Sequence, residues 1–223
     1  MSEQLSDGYD AVIFDNDGVL VEPTDEDILV DAVMDAFRAF DVDIDRSFAR
    51  DTIEDDVVPT EAVREHELDL EAFWHYRELT ASLAQQTHVR EGGKQVYDDV
   101  TGLEELGMPL GVVSNNQHAT IQFLLAHHDL DYFSTAYGRQ PTLAGAARRK
   151  PEPDYLERAL ADLGASEALY VGDSEKDVLA AREAGLDSVF LRRDHVADAT
   201  LSVEPTTEMT DLRMLVDALT DQG

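Results

Sequence analysis

The chain of 223 residues carries 48 acidic side chains against 17 basic ones, a net charge of −31, with 43% hydrophobic residues and no cysteine. That apolar share supports one sizeable core, or a core domain with an insertion, and argues against disorder. The missing cysteines exclude disulfides, thiolate metal sites and cysteine nucleophiles, and the acidic surface repels nucleic acid and anionic membranes, so neither is expected as a partner.

In chain order, AVIFDNDGVL (11–20) opens with four apolar residues that read as a strand buried on both faces, as in a parallel sheet under helices. It ends in Asp15-Asn16-Asp17-Gly18. In extended chain, residues i and i+2 share a side, so Asp15 and Asp17 would crowd their charges unless a cation or proton sat between them. A calcium loop fails, because Val19 and Leu20 stand where its next ligand and its glycine belong.

Residues 21–90 have a helical pattern. TDEDILVDAVMDAFRAF starts with a Thr24/Asp27 capping box and repeats apolar residues at 29, 33, 36, 37 and 40. DLEAFWHYRELTASLAQQ repeats them at 70, 73, 74, 83 and 84. Here Trp74 reads as core of the helical unit, and His75, Tyr76 and Arg77 as a helix face, with contact to the substrate as the alternative. PLGVVSNN (109–116) is a second strand that turns polar at Ser114-Asn115, followed by the helix QHATIQFLLAHH. YFSTAYG (132–138) reads as a further strand, and PDYLERALADLG (153–164) as a helix with proline in its first turn and Gly164 past its end. ALYVGDSEKD (168–177) ends a strand at Gly172-Asp173 and starts a helix through a Ser174/Asp177 capping box, which stops at Gly185. SVFL (188–191) and ATLSV (199–203) read as the last strands.

Strands alternating with helices predict an α/β fold, a doubly wound parallel sheet. Residues 1–20 and 91–223 would form the core domain and 21–90 an inserted all-helical cap, a lid above the crevice at the strand ends. Asp15, Asp17, Ser114, Asn115 and Asp173 converge there. Oxygen-only acidic ligands suit Mg²⁺, while Ser114, Asn115 and the start of the next helix suit an anion. A cation site beside an anion site suggests a phosphate ester.

DNDGVL, VVSNN, RRKPEPD and GDSEKD, in this order, resemble the motifs of the haloacid dehalogenase superfamily from Tyr9 to about Asp194. They look like its phosphatase-type members, such as phosphoglycolate phosphatase, with a helical cap after the first motif. The resemblance implies Asp15 as the nucleophile that forms an aspartyl-phosphate and Asp17 as the acid/base. It implies Mg²⁺ held by the Asp15 carboxylate, the Asp17 backbone carbonyl and Asp173, with Asp177 in support. Ser114 and Lys150 would hold the phosphoryl oxygens, with Asn115 nearby, and the first strand would lie between the second and fourth of the core. The expected substrate is a small phosphorylated metabolite. The capping box explains Asp177 without a metal, and the two roles can coexist. One departure is Asn16, where relatives carry an apolar residue; its side chain is expected to turn away from its neighbours.

A sugar-phosphate mutase would keep the same aspartates and cap. A haloacid dehalogenase replaces the second aspartate, so Asp17 argues against that chemistry. A phosphoaspartate switch like the response-regulator receivers would be shorter and uncapped, and a binding-only paralogue would be expected to have lost one of these groups, none of which is missing. The acidic residues are spread over the chain as a solvated coat with three lysines against fourteen arginines. This resembles proteins of salt-loving cells, since molar salt shrinks the Debye length to about 3 Å and relieves self-repulsion. A polar, acidic start and apolar runs too short for a bilayer predict a cytoplasmic location.

Overall fold

The computed structural model describes residues 5 and 8–220. Strand β1 (Ala11–Phe14) has all four side chains fully buried, because helices cover both of its faces. The other strands are β2 (Leu110–Gln117), β3 (Thr135–Arg139), β4 (Ala168–Gly172), β5 (Asp187–Leu191) and β6 (Thr207–Met209). Their order is β3-β2-β1-β4-β5-β6, with every neighbouring pair parallel. β1 sets Val12 opposite Leu110 on one side and Leu169 on the other. The chain reverses its winding direction between β2 and β4, so a crevice opens beyond the carboxyl ends of β1, β2 and β4.

Four helices fill the crossover from β1 to β2: α1 (Glu26–Arg38), α2 (Arg46–Glu54), α3 (Thr60–Glu65) and α4 (Leu70–Arg90). They have a core of their own, which includes Val30, Val33, Phe37, Val63 and Phe73. The Phe37 and Phe73 rings lie 4.4 Å apart. Burying each such ring contributes about 1.5–3 kcal/mol, so this unit does not depend on the sheet for all its cohesion. The remaining helices are α5 (His118–His127), α6 (Leu143–Ala147), α7 (Asp154–Leu163), α8 (Glu175–Glu183) and α9 (Leu212–Thr220). Val12 and Phe14 face the layer containing α5 and α9. Ala11 and Ile13 face α7 and α8, the strict alternation of a strand covered on both sides.

Several local signals act as written. Gly164 ends α7 in the left-handed region, and Ser174 with Asp177 forms a complete capping box on α8. Others do not. α1 is capped by Asp25, which accepts from the Asp27 N–H, and the Thr24 hydroxyl is engaged elsewhere. The expected strand at 199–203 is loop. Arg192 gathers the carbonyls of Val196, Ala197 and Ala199 there, and the edge strand forms later, at 207–209. With only three residues, β6 is too short for its buried-exposed-buried alternation to stand out. None of the helices among the described residues is long and apolar enough to cross a membrane.

Candidate active site

The ends of β1, β2 and β4 bring Asp15, Asp17, Ser114, Asn115 and Asp173 to one cavity of about 520 Å³, with Lys150 from the segment before α7. Gly18 makes the convergence possible. Its φ is +77°, and a Cβ at that position would lie 1.9 Å from Asp173 Oδ2, so a side chain there would push the loop off its neighbour.

Lys150 is buried at the centre. Its Nζ lies 3.0 Å from Asp15 Oδ2 and 2.5 Å from Asp177 Oδ1, and donates to the Tyr170 hydroxyl at 2.7 Å and to the Val113 carbonyl at 3.2 Å. Asn115 fixes the lysine backbone from both sides, accepting from Lys150 N and donating to its carbonyl. Asp177 keeps its other oxygen for the Ser174 N–H and hydroxyl, so the helix cap also orients the carboxylate that holds Lys150. Asp15, Asp173 and Asp177 each offer an oxygen within 4.8 Å of the others. Burial pushes Asp15 up to about 7 against the pull of Lys150, with the like charges of Asp177 and Asp173 adding to the rise. Asp173 is raised too, by burial foremost, although His195 Nε2 stands 2.7 Å from its Oδ2 and opposes this.

The expected crowding of Asp15 against Asp17 does not occur. The chain bends at Asn16, between the two aspartates, so the extended geometry on which it rested is lost, and the two carboxylates diverge, each to its own buried lysine. Asp17 Oδ2 lies 2.8 Å from Lys94 Nζ and accepts from Thr24 Oγ1 and Asn116 Nδ2, both at 2.9 Å. Burial works to raise the Asp17 pKa, but Lys94 and the hydrogen bonds from Asn16 and Thr24 outweigh it and hold it low. Asn16 does not turn away either: its amide donates to Asp17 Oδ1 at 2.5 Å. Gln85 of α4 bonds Asn116 and Gln117, tying the helical unit to the end of β2.

Asp56, Trp74 and Arg77 show how the helical unit closes the cavity. Asp56, in the loop after α2, reaches Lys176 at 2.8 Å and Arg149 at 3.1 Å. Trp74, predicted as core of that unit, lines the cavity beside Arg77. The helix-face reading holds for Tyr76, which is exposed, and for His75, whose ring nitrogen meets the Pro141 carbonyl. Lys94, Gln85, Asn116, Tyr170 and His195 were not singled out by the sequence, and Thr24 only as a helix cap.

A profile of the haloacid dehalogenase-like hydrolases matches residues 12–191, and the chain belongs to that family. Phosphoglycolate phosphatase of Pectobacterium atrosepticum is 39% identical over 98 residues, 43% of this chain and 40% of the relative. Pyrophosphatase PpaX of Anoxybacillus flavithermus is 36% identical over 109 residues, 46% of this chain and 49% of the relative. The chain thus spans about half the length of the curated relatives it matches. The crystal structure of CbbY from Rhodobacter sphaeroides in complex with phosphate has a TM-score of 0.69 at 19% identity, over 93% of this chain and 96% of that one. A HAD phosphatase from Thermococcus onnurineus has 0.62 at 22%, over 94% and 97%. These two likenesses carry the fold.

Proposed function

We propose that this protein is a Mg²⁺-dependent phosphomonoester hydrolase of small phosphorylated metabolites, working through an aspartyl-phosphate on Asp15. The observation that carries the reading is the buried Lys150, bridging Asp15 and Asp177 beside Asp173. Three carboxylates against one lysine leave negative charge over, and their donors are all hard oxygens, so the residues fit a Mg²⁺ ion. Asp15, the Asp17 carbonyl and Asp173 would hold it, with Asp177 supporting from behind. When bound, Mg²⁺ neutralises phosphoryl oxygens and orients the ester.

The chain's own groups account for the rest. The Asp15 carboxylate attacks phosphorus, and the ester oxygen departs with a proton from Asp17. Asp17 then takes a proton from the water that attacks the acyl phosphate, which returns the Asp15 carboxylate and releases phosphate. Lys150 and Ser114 receive phosphoryl oxygens, and Asn115 holds Lys150 in place. The helical unit over the cavity acts as a cap that excludes bulk water. The relatives named as phosphoglycolate phosphatase and pyrophosphatase support a phosphoryl substrate.

The test is phosphate release from a panel of phosphorylated metabolites with Mg²⁺ in molar KCl. Asp15→Asn abolishes release. Asp17→Asn, given an aryl phosphate whose leaving oxygen needs little protonation, accumulates phosphoenzyme because hydrolysis loses its base, slowing by about 10²–10⁴. Intact-protein mass after acid quench reads the added phosphoryl group on Asp15. A sugar-phosphate mutase would instead return the group to a second hydroxyl, and a signalling switch would keep the parent protein phosphorylated for minutes.

A further inference from the structure

Among the described residues five large apolar side chains are exposed: Val57, Tyr76, Leu79, Leu83 and Met214. Three of them belong to α4, at spacings of three and four residues. That spacing puts Tyr76, Leu79 and Leu83, which are 41%, 46% and 61% exposed, on one face of the helix. It is not the face that serves the cavity, since Trp74, Arg77 and Gln85 line the cavity and these three do not. A contiguous apolar stripe with a polar rim marks a contact surface.

The acidic coat is interrupted on the same side. From Ala72 to Arg90, α4 has one carboxylate, Glu78, and it is fully buried. The neighbouring helix α5 has none along its whole length and packs on α4. By contrast α1, α2, α3, α7, α8 and α9 each expose at least one acid. Around this face, carboxylates return at the edges. Asp69 and Glu71 stand at the start of α4, Glu91 at its end and Asp129 past α5, while Asp31 and Asp35 of α1 are already bound by Arg46 and Arg38. Arg90 keeps the far end of the stripe basic, with its guanidinium 4.5 Å from the Phe123 ring of α5.

Copies of a chain with a charge of −31 repel one another wherever coat meets coat, so close approach requires a face without carboxylates. A basic partner would find more counter-charge elsewhere on the surface. We infer that this face of α4, flanked by α5, joins two copies of the chain in an antiparallel two-fold contact. With the axis at Ala81, Leu79 of each copy meets Leu83 of the other. Arg90 of each copy then comes opposite Ala72 of the other, beside its Glu71, and the helix macrodipoles run in opposite senses. A parallel pairing would set Glu71 against Glu71 and Arg90 against Arg90.

The inference does not depend on the phosphatase reading, and its test needs no substrate. The mass of the parent chain is measured by analytical ultracentrifugation at micromolar concentration, in 0.1 M and in molar KCl. The expected result is a shift from 24.7 kDa toward twice that mass as salt rises, because screening contracts from about 10 Å to about 3 Å and relieves the repulsion between the two coats. Leu83→Glu places a carboxylate from each copy inside the contact and returns the mass to 24.7 kDa in molar KCl. The chain has no cysteine, so Leu79→Cys and Leu83→Cys report the pairing cleanly. Oxidised as a mixture, they form a disulfide-linked dimer in higher yield than either variant alone. A parent chain that stays at 24.7 kDa in molar KCl overturns the inference. So does a dimer that survives in a folded Leu83→Glu. Cross-links confined to like positions overturn the antiparallel pairing, and they decide the case even where Leu83→Glu does not fold.

Discussion

Lys94 and Asp17 form a buried ion pair of 2.8 Å across the junction between the helical unit and the sheet. Lys94 Nζ also donates to Thr24 Oγ1 at 2.5 Å, so one ammonium grips the proposed acid/base and the segment that leads into α1. Asp17 must carry a proton to release an alcohol, while Lys94 favours its ionised form. Replacing Lys94 by Met removes the main force that lowers the Asp17 pKa and leaves burial to raise it. The protonated fraction at a given pH then increases. The basic limb of kcat/KM for an alkyl phosphate should move to higher pH in Lys94→Met. An unmoved limb in a folded variant would show that Lys94 does not govern this proton.

Lys150 and Arg149 are chain neighbours with separate duties. Lys150 faces Asp15, whereas Arg149 binds Asp56 through both its side chain and its backbone carbonyl. Lys150→Ala should lower kcat by about 10²–10³, the usual loss when one preorganised donor to a developing charge is removed. Arg149→Ala loosens the helical unit over the cavity and should raise KM with much less effect on kcat. Equal kcat losses from the two would mean that Lys150 does not contact the transferring group.

Mg²⁺ binding should depend on pH in a defined direction. Asp15 is pushed up to about 7, chiefly by burial, so the metal-free protein binds a proton there that its unfolded chain, near 3.8, releases. A raised carboxyl pKa contributes stability below the unfolded value, and that stability is lost as pH rises through the folded one. Between about pH 4 and 7 the metal-free protein should therefore lose stability. A cation must displace the same proton, so Mg²⁺ affinity should rise up to about pH 7 and level off above it. Melting temperature with EDTA and with Mg²⁺, scanned over this range, reads both trends. A Mg²⁺ effect that is constant from pH 5 to 8 would contradict the assignment of Asp15 as a ligand.

Salt should act on the whole molecule. A charge of −31 spread over the surface repels itself strongly at 0.1 M salt, where screening extends to about 10 Å, and far less in molar KCl. Melting temperature and activity should both climb from 0.1 M to molar KCl. A flat response would remove the case for a salt-adapted protein and leave the catalytic proposal intact.

The central strands were legible because parallel strands covered on both faces read as unbroken apolar runs, as in Ala11–Phe14 and Leu169–Val171. The polar strand ends were legible for the same reason, since polarity begins where cover ends. Contacts between the helical unit and the sheet were not. Gln85 reaches Asn116 and Gln117 at the end of β2, and Lys94 just after α4 reaches Asp17, because α4 packs on α5, and no local pattern encodes that docking. One signal was available and only partly used. The chain has three lysines, and each contacts a carboxylate that lines this cavity: Lys94 meets Asp17, Lys150 meets Asp15, and Lys176 meets Asp56. In a chain that otherwise favours arginine, that scarcity pointed to Lys94 as much as to Lys150. The divergence of Asp15 from Asp17 depends on the bend at Asn16, which the side-chain pattern does not show.

The place of β1 in the sheet has a consequence for synthesis on the ribosome. Asp15, the proposed nucleophile, is made early, but both strands that flank β1 come later in the chain, β2 after the whole helical unit and β4 after Lys150. Pairings between such distant segments form slowly. The helical unit has its own core and can condense first, while β1 waits with two unpaired edges. A half-translated chain therefore carries Asp15 without Lys150 or Asp173, the groups proposed to work with it. The interval before β2 and β4 dock is when the nascent chain most needs protection from aggregation.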